Sequence, residues 1–349
     1  MNIDQLETPA LVVDIDPLEY NLARLQAYLD EHKITNRPHI KTHKSPAIAQ
    51  MQIDGGAAGI TCQKIGEAEV MAEAGLNDIF LPYNILGEHK LHRLMQLAHR
   101  TRLSVTVDSA VVAEGLSKAA KEANLALSVL VECDLGFGRC GVQSPAEAAE
   151  LAQSVAALPN LHFRGLMTYP NAEHLDDFVR ATRTLLRPEG IIIETVSGGG
   201  SECMWQAHTH EELTEHRAGM YIFGDRNLLR AGVMTLEDIA FSVIATVVSR
   251  PTPDRGILDC GSKTLSSDTL GLEGYGYVRE YPQAQLYQLS EEHGFLDLSA
   301  CGQKPEIGER VTVIPNHCCP VVNLSDELYG VRDRLVVERW PVAARGKVF

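Results

Sequence analysis

The chain has 349 residues, of which 45% are hydrophobic and 22% charged, a composition typical of a globular protein with a sizeable buried core. Its 31 Lys and Arg residues against 46 Asp and Glu residues give a net charge of −15 at pH 7. Such a surface repels phosphate backbones and anionic lipids, so we expect neither nucleic acid nor a membrane as a partner.

The sequence also bears on the cellular compartment. No apolar run approaches the roughly 20 residues of a membrane-spanning helix. Residues 1–9 carry two carboxylates, no basic residue and no apolar core, unlike a secretory signal. The eight cysteines are scattered without a paired framework, which indicates buried thiols or metal ligands in a reducing compartment. We therefore expect a cytoplasmic protein.

Between residues 17 and 235, amphipathic stretches alternate with short β-branched runs. The first stretch places Leu18, Leu22, Leu25 and Leu29 on one face of a helix. Eight strands alternating with helices over this length predict an α/β fold, a (β/α)8 TIM-type barrel over residues 10–235. The predicted barrel strands cover residues 38–42, 59–63, 78–83, 103–108, 127–133, 163–169, 191–196 and 217–223.

The pattern changes after residue 236, where strand-like runs are separated by turn residues without intervening helices. A C-terminal β domain is predicted over residues 236–349. The N-terminal segment, residues 1–9, leads into a strand-like stretch at residues 8–14, and we expect it to join this domain. The predicted strands of the β domain cover residues 241–249, 256–260, 285–289, 310–315 and 334–341.

In a barrel of this type, functional side chains gather at the C-terminal ends of the strands. These ends are unusually polar in this chain. They carry Lys41, Gln63, Tyr83, Asp108, Asp134 with Arg139 just beyond, Tyr169, residues 197–201 and Tyr221.

Lys41 is the candidate nucleophile of this set. Alternation along the first predicted strand places Arg37, His39, Lys41 and His43 on one face and Lys44 on the other. Burial beside other cations lowers the pKa of a lysine, as a Schiff-base nucleophile requires. The alternative is a surface lysine whose stem packs on apolar neighbours.

Two further motifs suggest ligands. Three glycines, residues 198–200, follow the seventh predicted strand, where converging amides can bind phosphate, although a plain flexible turn is the alternative. In the β domain, His317 and Cys319 lie two apart in a segment predicted to be extended, so they share a side. Imidazole and thiolate are ligands that suit Zn²⁺, and two protein ligands would leave open coordination positions on the metal. The alternative is that His317 and Cys319 are near each other by chance and bind no metal.

Together these motifs resemble the fold-type III pyridoxal phosphate enzymes, specifically the branch of D-serine dehydratase and D-threonine aldolase. The resemblance spans nearly the whole chain and implies an alanine-racemase-like barrel followed by a β domain. It is carried by residues 37–44, 61–69, 138–142, 197–200, 221–223, 259–263 and 315–320.

The resemblance implies roles for single residues. Lys41 would bind pyridoxal 5'-phosphate covalently and serve as a catalytic residue, and Arg139 would bond the phenolic oxygen of its ring. Tyr169 would be a second catalytic residue, packed beside the cofactor, although a core tyrosine is the alternative. Gly198, Gly199 and Tyr221 would cradle the phosphate, and His39 and Ser197 would also bind the cofactor. Gln63 would lie at the substrate, and His317 and Cys319 would bind a divalent metal.

The implied function is a lyase acting on β-hydroxy amino acids of the D configuration. We expect a dehydratase, converting D-serine or D-3-hydroxyaspartate to a 2-oxo acid and ammonia, because dehydratases of the branch have histidine and cysteine two apart. A thiolate ligand favours Zn²⁺ over Mn²⁺ or Mg²⁺. The alternative is an aldolase that releases glycine and an aldehyde. The segment of residues 62–64 resembles the corresponding segment of the aldolases more closely than that of the D-serine dehydratases.

Two more remote functions are an amino-acid racemase and a non-catalytic pyridoxal phosphate carrier. A racemase of this plan would need no metal, and the carriers lack a β domain. Relatives of this plan pair as head-to-tail dimers, so we expect a homodimer.

Overall fold

A computed structural model describes residues 1–349. The chain forms two compact units, each assembled from separate segments. The barrel unit comprises Leu25–Lys41, Ala49–Gly219 and Gly346–Phe349, and the sheet unit comprises Met1–Arg24, Thr42–Ile48 and Met220–Arg345.

The strands are β1 (Ala10–Asp14), β2 (Thr35–Asn36), β3 (Ile60–Thr61), β4 (Asp78–Leu81), β5 (Arg102–Val107), β6 (Leu127–Cys133), β7 (Leu161–Thr168), β8 (Thr195–Gly199), β9 (Glu215–Arg217), β10 (Phe241–Thr252), β11 (Arg255–Leu258), β12 (Gly276–Val278), β13 (Gln285–Leu289), β14 (Gly294–Asp297), β15 (Arg310–Pro315), β16 (Glu327–Arg332) and β17 (Leu335–Pro341). The helices are α1 (Ile15–Glu31), α2 (Pro46–Asp54), α3 (Ile65–Glu73), α4 (Glu88–Ala98), α5 (Ala110–Glu122), α6 (Pro145–Ala157), α7 (Leu175–Leu186), α8 (Arg226–Arg230), α9 (Ser262–Leu265) and α10 (Cys318–Asn323). None of the helices combines the length and the apolar character needed to cross a bilayer.

The barrel unit contains the predicted eight parallel strands, in the order β2-β9-β8-β7-β6-β5-β4-β3. A bridge between His39 and Thr61 joins the two ends of this order, which closes the barrel. Strand β6 is buried along almost its whole length, as expected of a parallel strand covered on both faces. Helix α5 buries the stripe of Val112, Leu116 and Ala120, spaced four residues apart. The predicted barrel class is confirmed.

The first barrel strand differs from its prediction. Strand β2 ends at Asn36, His39 makes only the isolated bridge, and residues Ile40–Thr42 form a 3-10 turn. Pro38 has no amide hydrogen for a strand ladder, which explains the early end. The predicted common face of residues 37, 39, 41 and 43 is therefore wrong, because the alternation does not continue through the turn.

The last two barrel strands are also displaced from their predicted positions. The apolar run at residues 191–194 forms no strand, Ile192 is exposed, and β8 begins at Thr195. The glycine run thus begins inside β8 instead of following the strand. Strand β9 lies at Glu215–Arg217, and the predicted strand continuation is replaced by a 3-10 turn at Met220–Ile222.

The sheet unit contains a nine-stranded, mostly antiparallel sheet in the order β13-β14-β11-β10-β1-β16-β17, with β15 pairing with both β10 and β12. Strand β1 pairs antiparallel with β10 and parallel with β16. The structure thus places a strand at residues 10–14, whereas residues 1–9 contain a 3-10 turn at Ile3–Gln5. Strands β12, β14 and β16 had no predicted counterpart, because each is short or carries a glycine that weakens the strand pattern.

Candidate active site

Two of the predicted cofactor residues, Lys41 and Arg139, lie near the ring of a third predicted site residue, Tyr169, in the barrel unit. The Lys41 Nζ atom lies 5.9 Å from the centroid of the Tyr169 ring, and the Arg139 Cζ atom lies 4.8 Å from the same centroid. The Phe137 ring meets Tyr169 edge-on at 5.5 Å. Cations are attracted to the face of an aromatic ring, so Tyr169 holds both positive groups near one place.

Arg139 is positioned by the loop that follows β6. The Asp134 carboxylate accepts hydrogen bonds from the backbone amides of residues 136, 137 and 138, at 2.8 to 3.1 Å. Burial would raise the pKa of Asp134, but these bonds lower it. Arg139 forms an ion pair with buried Glu132 at 3.6 Å, and burial raises the pKa of that carboxyl against the opposing effect of Arg139.

His39 and Gln63 are brought together beside this group. The His39 Nε2 atom lies 3.0 Å from the Gln63 Oε1 atom, and the Lys41 amide donates to the His39 Nδ1 atom at 3.4 Å. These partners match a neutral imidazole protonated at Nε2. Burial holds the pKa of His39 well below its usual value, and the charge of Lys41 lowers it further. The Gln63 Nε2 atom donates to the Pro82 carbonyl at 3.3 Å.

Ser197 belongs to a buried polar network inside the barrel. Its hydroxyl donates to the Glu215 carboxylate and accepts from the Arg217 guanidinium, both at 2.5 Å. Arg217 also donates to the Thr168 carbonyl at 2.9 Å. Burial lowers the pKa of Arg217 to about 10, although Glu215 and Glu132 oppose the effect. The hydroxyl of Ser197, one of the predicted cofactor residues, is therefore engaged in this network.

The glycine run is shaped by Asn171. The Gly199 amide donates to the Asn171 Oδ1 atom at 2.9 Å, and the Asn171 amide donates to the Gly199 carbonyl at 3.1 Å. A Cβ atom on Gly198 would lie 2.1 Å from the Asn171 Oδ1 atom, so only glycine leaves room for this carboxamide. Gly200 has a φ of +121°, which also favours glycine. Asn171 belongs to none of the motifs that predicted the site.

Tyr221 lies in a 3-10 turn of the sheet unit, and only 2% of it is exposed. Of the predicted phosphate residues, it is the one that belongs to this unit.

The predicted metal pair also lies in the sheet unit. Strand β15 ends at Pro315, His317 keeps extended backbone angles, and α10 begins at Cys318. The prediction of an extended segment through residue 319 is therefore wrong. Cys319 nevertheless lies near enough to His317 to raise the pKa of its imidazole, because the first helical turn brings the thiol back toward it. The Thr42 hydroxyl lies 3.3 Å from the Cys319 sulfur.

Two carboxylates support this pair. The His317 Nδ1 atom lies 2.8 Å from the Asp268 Oδ2 atom, and the Cys318 amide donates to the Asp225 Oδ2 atom at 3.1 Å. Burial raises the pKa of Asp225 to about 6. Burial would lower the pKa of His317, but Cys319, Asp268 and Asp225 raise it to about 9.

The side chains present fit the expected metal and cofactor. An imidazole and a thiol are ligands that zinc prefers. No further histidine, cysteine, aspartate or glutamate joins this pair to form a group of three. Two protein ligands leave coordination positions for substrate and water. In the barrel unit, an amine, a guanidinium and an aromatic face near one another fit an anionic aromatic aldehyde such as pyridoxal phosphate.

Two family models match successive parts of the chain. The alanine racemase N-terminal domain family matches residues 13–227, and the putative serine dehydratase domain family matches residues 240–331.

Relatives cover nearly the whole chain. D-threonine aldolase from an Arthrobacter species is 36% identical, covering 98% of this chain and 93% of the relative. A 3-hydroxy-D-aspartate aldolase from Paracoccus denitrificans is 31% identical, covering 99% and 94%. D-threo-3-hydroxyaspartate dehydratase from a Delftia species is also 31% identical, covering 90% and 91%.

Solved structures show the same similarity. D-threonine aldolase from Filomicrobium marinum superposes with a TM-score of 0.91 at 33% identity, covering 99% of this chain and 97% of that one. A metal-free mutant form of D-threo-3-hydroxyaspartate dehydratase gives a TM-score of 0.86 at 28% identity, covering 98% of both chains. The chain thus belongs to the D-threonine aldolase and D-serine dehydratase family of alanine-racemase-like lyases, whose members are pyridoxal phosphate enzymes.

Proposed function

We propose that the protein is a lyase dependent on pyridoxal phosphate and a divalent metal, and that it dehydrates β-hydroxy amino acids of the D configuration. The substrate class is supported by the relatives, which include aldolases and dehydratases of D-threonine and D-3-hydroxyaspartate. The observation that supports a dehydratase is the pair of residue types at this site, with His317 and Cys319 two positions apart and near enough for Cys319 to raise the pKa of His317.

In this proposal the barrel unit holds the cofactor. When bound, pyridoxal phosphate takes up the electron pair left at the substrate Cα, while a divalent metal polarises the β-hydroxyl. The Lys41 Nζ atom would hold the cofactor and, once displaced by substrate, carry the Cα proton. Arg139 would bond the phenolic oxygen, and the Tyr169 ring, whose centroid lies 5.9 Å from the Lys41 Nζ atom, would limit the access of water.

Neutral His39 supports this role of Lys41. Its Nδ1 atom accepts from the Lys41 amide, and its Nε2 atom is held by Gln63, so the backbone that leads into Lys41 is tied to the barrel. A neutral imidazole adds no positive charge next to the Lys41 amine. Gln63, which lies beside His39, would contact the substrate, so we expect it to contribute to substrate selectivity.

The sheet unit holds the metal in this proposal. His317 and Cys319 would supply one nitrogen and one sulfur ligand, and a thiolate favours Zn²⁺ over Mg²⁺ or Mn²⁺. The metal-free form of the related dehydratase supports metal dependence in the family. A metal held by these two residues would supply a Lewis acid to the β-hydroxyl of the substrate. Loss of the Cα proton and of this hydroxyl as water leaves an enamine, and its hydrolysis gives the expected 2-oxo acid and ammonia.

Cleavage between Cα and Cβ is the second candidate. Its support is the 36% identity to D-threonine aldolase, compared with 31% to the dehydratase. In that reaction the β-hydroxyl loses its proton instead of leaving, and glycine and an aldehyde are formed. A homodimer is part of either proposal.

Product analysis tests the proposal. The protein, loaded with pyridoxal phosphate and Zn²⁺, is incubated with D-serine, D-threonine or D-3-hydroxyaspartate, with and without a chelator, and their L enantiomers serve as controls. Ammonia and a 2-oxo acid from a D substrate, lost on chelation, support the dehydratase. Glycine with an aldehyde or glyoxylate and no ammonia would establish the aldolase, and equal turnover of L substrates would refute the proposed configuration.

A further inference from the structure

The Asp268 carboxylate is held in a fixed direction by its own loop. Its Oδ1 atom accepts the Leu270 amide at 3.1 Å, and its backbone amide donates to the Ser266 hydroxyl at 3.1 Å. Ser266 and Leu270 both have positive φ angles, 64° and 47°, which non-glycine residues seldom adopt. Two residues of this loop thus adopt unfavourable backbone angles, one on each side of the anchored carboxylate.

The second oxygen of Asp268 meets His317. The Asp268 Oδ2 atom lies 2.8 Å from the His317 Nδ1 atom, a normal hydrogen-bond distance for an imidazole N–H donor. A carboxylate cannot donate when ionised, so the Nδ1 atom carries the proton of this bond. The Nε2 atom is then the nitrogen whose lone pair can bind a metal.

The contact between Asp268 and His317 has two possible roles. An ion pair at the surface contributes little to stability, and Asp268 is partly exposed. A carboxylate that accepts from the far nitrogen of a metal-binding histidine instead fixes the tautomer and the ring orientation and makes the ligating nitrogen more basic. The two hydrogen bonds that hold Asp268 in its loop, and the approach of its second oxygen to the His317 Nδ1 atom, favour the second role.

We propose that Asp268 is a positioning residue for the metal site, orienting His317 so that its Nε2 atom and the Cys319 sulfur face the same cation. This inference rests on the metal site of the proposed function and extends it to a residue 49 positions away in the sequence. Asp268 touches neither metal nor substrate in this role.

The test measures metal binding instead of turnover. Protein loaded with pyridoxal phosphate and freed of metal is titrated with Zn²⁺ against a chromophoric chelator, and with Co²⁺ while its visible absorption is recorded. The variants are Asp268→Ala, Asp268→Asn and His317→Ala. Asp326→Ala is the matched control, because Asp326 also pairs with a cation of the sheet unit, Arg345, at 2.6 Å.

We expect Asp268→Ala to weaken Zn²⁺ binding roughly 10- to 100-fold. Asp268→Asn should lose less affinity, because its side-chain carbonyl can still accept from the Nδ1 atom. The melting temperature of metal-free Asp268→Ala should match that of the metal-free wild type, whereas the rise on adding Zn²⁺ should be smaller. Its Co²⁺ spectrum should also differ, since the imidazole is no longer oriented. Asp326→Ala should bind as the wild type does.

The outcomes separate the two proposals. If the wild type binds Zn²⁺, His317→Ala does not, and both Asp268 variants bind with unchanged affinity, the positioning role is refuted while the metal site stands. If the wild type and His317→Ala bind Zn²⁺ equally, the metal site is refuted and this inference with it. If Asp268→Ala fails to fold, Asp268→Asn decides, and wild-type affinity in that variant overturns the role of the charge.

Discussion

Replacing Gly198 with alanine should destabilise the barrel unit, because the added methyl group has no space. The new Cβ atom would lie 2.1 Å from the Asn171 Oδ1 atom and 2.6 Å from the Leu213 Cδ1 atom. The Leu213 methyl group is the end of a flexible side chain and can rotate away. The Asn171 carboxamide cannot move without giving up its bond to the Gly199 amide.

The size of the effect follows from these contacts. Overfilling a packed site costs ~1–3 kcal/mol. A lost hydrogen bond costs ~0.5–1.5 kcal/mol more. Removing a glycine from a strand returns ~0.5–1 kcal/mol, since the unfolded chain loses freedom. Gly198→Ala should therefore lower the free energy of unfolding by about 2–3 kcal/mol.

A double-mutant cycle measures the cause. Urea unfolding of cofactor-free protein is compared for the wild type, Gly198→Ala, Asn171→Ala and the double variant. Because Asn171→Ala removes the obstacle, the double variant should lose less than the sum of the single losses, by ~1 kcal/mol or more. Gly115→Ala is the control, since its Cβ atom would meet only the Leu91 Cδ1 atom at 3.8 Å. An unchanged unfolding midpoint for Gly198→Ala, or strictly additive losses, would refute the reasoning.

Three other substitutions test separate parts of the structure. Lys41→Ala should abolish the visible absorption of bound pyridoxal phosphate and its borohydride-reducible linkage, whereas Lys44→Ala should keep both; the reverse result would move the nucleophile. Cys319→Ala should lose Zn²⁺ in elemental analysis, while Cys318→Ala, whose thiol is buried, should keep it and lose only some stability. Burial and the charge of Arg217 lower the pKa of His216 from 6.5 to about 3, although the Gly200 backbone opposes the shift. Between pH 3 and pH 6.5 the unfolded chain therefore binds a proton at this imidazole, whereas the folded chain does not. Stability should therefore fall as the pH drops from 6.5 to 3, at ~1.4 kcal/mol per unit at most, and urea midpoints of His216→Leu should lack this part of the decline.

The order of elements was predictable because it depends on local patterns. Apolar periodicity of 3.6 along α1 and α5 and short β-branched runs between the helices suffice to predict a barrel. The strand ends were less predictable. Residues 191–194 are as apolar as a strand, yet the strand begins only at Thr195, because pairing with β7 and β9 decides where the ladder lies.

The candidate site shows the same division. Lys41, Arg139 and Tyr169 were predicted from strand ends and from a family resemblance, and the structure brings their side chains together. Asn171 and Asp268 were not assigned roles. Each acts on a partner far away in the sequence, at a spacing that no motif describes, so only the folded backbone reveals the contacts.

The pairing of strand β1 has a consequence for synthesis of the chain on the ribosome. Both neighbours of this strand lie far downstream, at residues 241–244 and 329–331. At an elongation rate of ~5–20 residues per second, the apolar stretch Ala10–Val13 emerges about 15–60 s before its second partner exists. During that interval its strand edges are open to pairing with other nascent chains. We therefore expect folding yield in cells to depend on chaperones that cover the first residues, more than on the stability of the finished protein.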